Sequence, residues 1–423
     1  MILDKIKQVL PRNEGGAQHL LALDIGTEYV KALIAELDGD ELKIIGVGRE
    51  HQGLSDMHSG AISDIGAVVR NCEAALSDAE QQAGVQAKKV VIGIAGELVK
   101  GLTSTIRYKR PQPDVALDMR EMEFIIEKVQ ERAHAKAQKQ IAWETGNDDV
   151  EIKLVNSAIV SIHIDGYKVS NPIGFQGKDV AIQIYTAFAP MVHIGALERT
   201  AQELDLDLIA VAAEPFAVSR GVLGTDASST FTAILIDVGG GTSDIGVVND
   251  GGVEGTKMFG IGGRSFTKTI ATDMDLSFED AEKLKLNVEH DNLKPEAREK
   301  INKALDKTLA VWLDGIELAL SEFDAIDHLP NRVLLCGGGA SLTKLVDILE
   351  TSDWHKKLPF TRKPTVQRIK PTEVAGITDI TGQVNDHTFI TAMGLLRVGY
   401  DTMVGSAETG NSLRDTFNRI LST

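Results

Sequence analysis

The sequence predicts an α/β chain of two similar lobes with a small α+β unit inserted into the first. Two segments of matching layout carry that expectation: Leu21–Lys31 (LALDIGTEYVK) and Ile234–Val248 (ILIDVGGGTSDIGVV). Each runs an aliphatic strand into an aspartate, turns at glycine and threonine, and returns as a second strand. The third observation is Glu151–Phe188, rich in Val and Ile, with turn signals at Asp165-Gly166 and Asn171-Pro172. At 423 residues the chain exceeds one ordinary core.

In chain order, Met1–Leu10 places Ile2, Leu3, Ile6, Val9 and Leu10 on one helical face, opposite Lys5 and Lys7, and Pro11 stops it. This amphipathic helix and its polar linker make up residues 1–18. The first lobe opens over 19–98. It has strands at Leu20–Ile25, Val30–Leu37 and Leu42–Val47, a hairpin turn at Asp38-Gly39-Asp40, a helix over Ser63–Ala83 and a strand over Lys89–Ala95. The insert occupies 99–188, with a charged helix over Leu117–Ala142 before its β-rich part. Residues 189–400 hold the rest of the first lobe and all of the second. They comprise a helix over Ile194–Leu204, a strand over Leu208–Ala212, a helix opening at Glu214-Pro215, where proline suits the first turn, and the second hairpin. Phe278–Phe323 reads as mostly helical, and strand Arg332–Cys336 runs into Gly337-Gly338-Gly339. A polar stretch from Asp401 to Ser412 then leads to a last helical face of Leu413, Phe417, Ile420 and Leu421.

Lys+Arg 44 against Asp+Glu 61 gives a net charge of −17, which excludes a phosphate-backbone ligand such as nucleic acid and makes any membrane attachment local. Without a spanning helix or a signal peptide, the expected location is cytoplasmic. Cys72 and Cys336 each sit inside an apolar run and read as buried thiols.

A glycine turn between strands brings backbone N–H groups close to phosphate oxygens. A neighbouring carboxylate can hold Mg²⁺, which takes one or two carboxylates plus phosphate oxygens. Asp24, with Gly26 and Thr27, and Asp237, with Gly239, Gly240, Gly241 and Thr242, fit those roles; a plain tight hairpin is the alternative for either motif alone. The Gly337-Gly338-Gly339 turn would let an adenine lie on the backbone, and Gly262 and Gly263 join the same set.

Together these motifs resemble those of the actin, hexokinase and heat-shock chaperone superfamily. The resemblance implies an actin-like ATPase fold with ribonuclease-H-like lobes that binds ATP and Mg²⁺, with Asp24 and Asp237 toward the metal. It assigns Glu214, in Glu214-Pro215-Phe216-Ala217, to orienting the attacking water, the alternative being a helix cap. Glu282 and Lys285 match ribose-contacting positions; the alternative is a surface i, i+3 pair.

Within the superfamily, residues 58–97, Ile162–Pro190 (IHIDGYKVSNPIGFQGKDVAIQIYTAFAP) and the ending GITDITG…FITAMGLLRVG resemble the bacterial division protein FtsA, over about residues 20–400. That resemblance implies an SHS2-like insert that contacts the next subunit in a filament. It also implies docking of the C-terminal peptide of the tubulin-like protein FtsZ, other division-protein partners, and a site on the inner leaflet of the cytoplasmic membrane at the division septum, with weak ATP hydrolysis as an open point. The terminal helical faces are the membrane candidates; terminal helices packed on the body are the alternative. Basic residues of the insert helix serve filament contacts or form a solvated face. FtsA proteins often follow the first Gly-Thr with a small residue and lysine, where this chain has Glu28-Tyr29. Lys31 and Glu214–Ala217 instead match the pilus assembly protein PilM, which makes a PilM-like scaffold of type IV pilus assembly the alternative, beside an ATPase or kinase of the superfamily.

Overall fold

The computed structural model describes residues 18–223, 230–288, 294–323 and 326–407. The first lobe is built on a six-stranded sheet ordered Asp207–Ala213, Lys89–Ile94, His19–Ile25, Tyr29–Asp38, Glu41–His51, Ile377–Asp379. Three antiparallel strands from consecutive hairpins lie beside parallel strands reached through crossovers. In the second lobe, Thr365–Arg368, Arg332–Cys336, Ala233–Val238, Ser243–Asn249 and Gly252–Phe259 repeat that order and polarity. The two lobes therefore share one topology, as the matching hairpins predict.

Central strands read as unbroken aliphatic runs because helices cover both faces. Leu20, Leu21, Ala22 and Leu23 are all fully buried. Helix Ile65–Ala83 packs on the first sheet. It starts at Asp64, whose side chain accepts the Ala67 N–H at 3.0 Å, and stops at Gly84 in the left-handed region. Helices Glu214–Leu223 and Ile390–Ala407 pack against each other on the opposite face. The last helix runs to Ala407, which corrects the expected linker from residue 401. Asp401 holds that turn in the helix by pairing with Arg220 and Arg397.

The insert comprises strands Lys100–Lys109, Ile152–Ile164, Tyr167–Lys168 and Asp179–Pro190 and helix Met119–Thr145. Its own core includes Ile106, Ile125, Ile126, Ile162, Val180 and Ile182. Its sheet joins the second lobe's edge through Gly255 opposite Leu102 and Thr256 opposite Gly101, forming one nine-stranded sheet. Among the described residues no helix is long and apolar enough to cross a membrane.

The second lobe's core closes on Trp312, which is fully buried and donates its Nε1–H to Ser243 Oγ at 2.9 Å. Ser243 in turn donates to the Ile261 carbonyl at 2.7 Å, fixing the second hairpin to the loop that leads from strand Gly252–Phe259 into helix Gly263–Met274. Trp312→Ala is expected to cost about 3–5 kcal/mol. Trp143→Ala, at a site 84% exposed, stays within about 0.5 kcal/mol. Thermal denaturation of the two variants checks the contrast.

Candidate functional site

The register of the first hairpin sets Asp24 opposite Lys31. Lys31 Nζ donates to Asp24 Oδ2 at 2.9 Å, with both side chains largely out of solvent. Burial acts to lower the lysine pKa, but the charge and hydrogen bond of Asp24, with Asp237 and Glu214 beyond it, outweigh burial and raise it. Gly26 closes the turn by donating its N–H to the Tyr29 carbonyl at 3.1 Å.

The second hairpin sets Asp237 directly opposite Asp244. The Gly239 N–H donates to the Thr242 carbonyl at 2.9 Å, Thr242 Oγ1 donates to Asp244 Oδ2 at 3.0 Å, and the Thr391 hydroxyl donates to Asp237 Oδ2. Asp244 Oδ1 is buried without a hydrogen-bond partner. Burial pushes the pKa of Asp237 above the usual carboxylate range, opposed by Thr391 and Lys31. Burial and then Asp237 push Asp244 well above it. Glu214, at the first turn of helix Glu214–Leu223, is likewise pushed well up, by burial first and then by Asp24, Asp244 and Asp237. Asp24, Asp237 and Glu214 thus converge on Lys31, and Asp244 joins the cluster beside Asp237 and Glu214.

The turns of the two hairpins touch. A Cβ on Gly241 would lie 2.7 Å from Thr27 Oγ1, and one on Gly240 would lie 2.9 Å from Glu28 Cβ. Only glycine permits that approach. The Gly263 N–H donates to the Gly239 carbonyl at 2.9 Å and the Arg264 N–H to the Gly240 carbonyl at 2.8 Å, which seats the helix Gly263–Met274 on the second turn. Lys285 joins the same cluster, with Nζ 3.0 Å from the Gly263 carbonyl, 2.8 Å from Thr267 Oγ1 and 2.7 Å from Glu282 Oε2. Glu282 and Lys285 thus form the i, i+3 pair, with the lysine buried and the glutamate partly exposed. The third glycine turn packs on Asp237. Gly337 has φ of 81°, and a Cβ there would lie 2.0 Å from Asp237 Oδ1. Its N–H donates to the His387 carbonyl at 3.1 Å, and a Cβ on Gly339 would meet Val238. Gly338, between them, opens the short helical turn Gly338–Ser341.

Buried carboxyl groups short of cations, one with an orphaned oxygen, suit a divalent cation. Among the described residues, the N–H groups of Gly240 and Gly241 have no acceptor, as donors awaiting phosphate oxygens would. The described residues form no group of three or more His, Cys, Asp or Glu side chains that could hold a metal alone. That agrees with an ion bound by one or two carboxylates and ligand oxygens. The site therefore fits a magnesium–nucleoside polyphosphate.

The structure brings together every nucleotide-site residue expected from the sequence. The helical faces Ile2, Leu3, Ile6, Val9 and Leu10, and Leu413, Phe417, Ile420 and Leu421, lie outside the described residues. Sequence reasoning noted Asp244 at the far shoulder of the glycine turn but gave it no role, and missed Thr391, Arg264 and His387. The signal for Asp244 was its mirror position across the Gly239–Thr242 turn. Thr391 and His387 reach the site only through the chain's return from the second lobe.

A family model for cell division protein FtsA matches residues 234–394. FtsA of Enterococcus faecalis (strain ATCC 700802 / V583) is 26% identical over 392 residues, spanning 86% of this chain and 84% of that protein. FtsA of Streptococcus pneumoniae serotype 2 is 25% identical over 425 residues, spanning 95% and 88%. Among solved structures, the PilM-PilN type IV pilus biogenesis complex matches with a TM-score of 0.64 at 15% identity, covering 90% of this chain and 98% of that one. The actin-like fold expected from the sequence is borne out.

The raised carboxyl pKa values fix the sign of a pH effect. A group protonated more readily when folded contributes stability fully below its unfolded pKa and loses it as pH rises through its folded value. Asp244→Asn removes one such group at constant shape. Measured without metal or nucleotide, its melting temperature should exceed the wild type's by about 2–4 °C at neutral pH. The difference should shrink toward zero near the ordinary carboxylate pKa, about 4.

Proposed function

We propose that this chain, a relative of the cell division protein FtsA, is an actin-like cell-division protein that binds Mg·ATP between its lobes. On this reading it assembles into filaments and tethers FtsZ, through the FtsZ C-terminal peptide, to the cytoplasmic face of the membrane at the division site. The observation that carries the nucleotide part is the meeting of two aspartate-bearing glycine turns over one buried carboxylate cluster. FtsA relatives matching along most of the chain support the division role.

Asp24 and Asp237 take the metal side, and Lys31 holds Asp24 in place. The N–H groups of Gly240 and Gly241 take phosphate oxygens. Gly337–Gly339 backs the base, while Glu282 and Lys285 stand toward the sugar. Glu214 orients a water and accepts its proton, a task suited to a buried carboxyl group whose pKa burial and neighbouring carboxylates raise. Bound magnesium would supply charge neutralisation for the phosphates.

A second reading, a PilM-like scaffold of type IV pilus assembly, draws on the fold match to the PilM-PilN complex. Binding of an FtsZ C-terminal peptide measured against a PilN peptide separates the two.

Asp24→Ala and Asp237→Ala each remove a charged anchor and are expected to weaken Mg·ATP binding about 10- to 100-fold. Glu214→Ala leaves binding intact and slows hydrolysis. Calorimetry and a phosphate-release assay check the division of roles; equal loss of binding in all three variants would reject it.

The membrane part places the anchors on the terminal helical faces. Each short face contributes little alone, at about 0.8 kcal/mol per buried methylene, and a filament multiplies the anchors. Ile6→Glu and Phe417→Glu should each reduce co-sedimentation with anionic liposomes, and the double variant should abolish it. Sedimentation of the double variant with lipid would exclude both ends as the anchor.

A further inference from the structure

One ion pair ties the lobes across the cleft. Arg264, in the first turn of the second lobe's helix Gly263–Met274, points Nε at Glu28 Oε2 of the first lobe, 2.6 Å away. Its Nη1 donates to the Leu54 carbonyl at 3.2 Å and its Nη2 to the Gly53 carbonyl at 3.4 Å, both also in the first lobe. The side chains are 10% and 20% exposed, so water screens the pair only in part. Glu28 is held from behind: His51 Nε2 lies 2.9 Å from its Oε1, and the Gln52 N–H donates to its carbonyl at 2.9 Å.

Glu28 also stands where the two turns touch. With Cβ positions on Gly240 and Gly241 falling within 3 Å of Glu28 and Thr27, the turns leave no room for a phosphate group between them. The other cations at these turns, Lys31 and Lys285, make their hydrogen bonds inside their own lobes, although the Lys31 charge also acts on Asp237 across the cleft. Arg264 is the one of the three that hydrogen-bonds to the opposite lobe. A guanidinium pairs with a carboxylate and with a phosphate through the same fork of donors.

We propose that Glu28 and Arg264 form a cleft lock. The pair holds the turns together in the absence of nucleotide, and a nucleoside polyphosphate opens the cleft by taking the place of the Glu28 carboxylate on Arg264. The displacement step rests on the nucleotide reading above. Arg264 exchanges one anionic partner for another, so the opposing term is the parting of the turns. Apparent affinity is then reduced by the fraction of molecules that remain locked.

The test uses the full chain with spin labels on Glu73→Cys and Leu286→Cys, one exposed position on each lobe. The native Cys72 and Cys336 are fully buried. Without nucleotide, Glu28→Gln and Arg264→Gln should each shift and broaden the interlabel distance, the pair combined should add nothing further, and Arg264→Lys should restore part of the wild-type distribution. Wild type with Mg·ATP should move toward the Glu28→Gln distribution. By calorimetry, Glu28→Gln should bind Mg·ATP about tenfold more tightly than wild type, with Arg264→Gln weaker than Glu28→Gln. An unchanged nucleotide-free distance in Glu28→Gln overturns the lock. Equal Mg·ATP affinity in Glu28→Gln and wild type overturns the displacement. If no form binds Mg·ATP although Glu28→Gln opens the cleft, the nucleotide reading and the displacement fail while the lock stands.

Discussion

Asp237 and Asp244 face each other on paired strands, buried in the second lobe, and the centre of the molecule is organised around that repulsion. Like charges directly opposite on a sheet destabilise it, and removal from water adds to the cost. The hairpin register leaves no escape, because Ala233 and Leu235 belong to one core and Ile234 and Ile236 to the other, and a one-residue slip would exchange them. Thr242 and Thr391 each supply a hydroxyl, and Lys31 reaches across from the other lobe. The fold accepts the strain because each lobe buries an extensive aliphatic core behind the site.

From this constraint follows the arrangement of the glycine turns. A cluster rich in carboxyl groups needs positive charge, and the backbone supplies its share as N–H dipoles only where side chains do not intervene. The turn after Cys336 packs directly on the Asp237 carboxylate, and the turn after Val238 is packed by the helix beginning at Gly263. The Cys336 thiol, beside Asp237 on the neighbouring strand, is pushed well above its ordinary pKa by burial and by the same carboxylates and stays protonated.

Much of this was legible in the residues because it is local. Asp24 and Lys31, seven apart across a tight turn, become partners once the segment is read as a hairpin. The layout repeated from Leu21 and Ile234 announced a repeated lobe. Contacts between distant segments carried no such signal: Thr391 reaches Asp237 and Arg264 reaches Glu28 only after two sheets have formed and met. The end of the last helix was misread for a different reason. The polarity of Asp401–Ala407 suggested a linker, but a helix already established by the apolar run from Ile390 extends cheaply, and Arg220 secures its next turn.

The seam between the insert and the second lobe has a mechanical consequence. The insert is covalently part of the first lobe and is clipped to it as well: Asn156 accepts the Ala213 N–H at 2.7 Å, Lys153 Nζ lies 3.0 Å from Glu198 Oε1, and Tyr185 stacks on Phe216. Toward the second lobe it has a backbone ladder at Gly101 and Leu102. Tyr185 with Thr256, Thr103 with the Val253 carbonyl, and Gln183 with Glu254 reinforce that ladder. The insert is therefore fastened on both sides, so the two lobes cannot turn relative to one another without shearing one of its two seams.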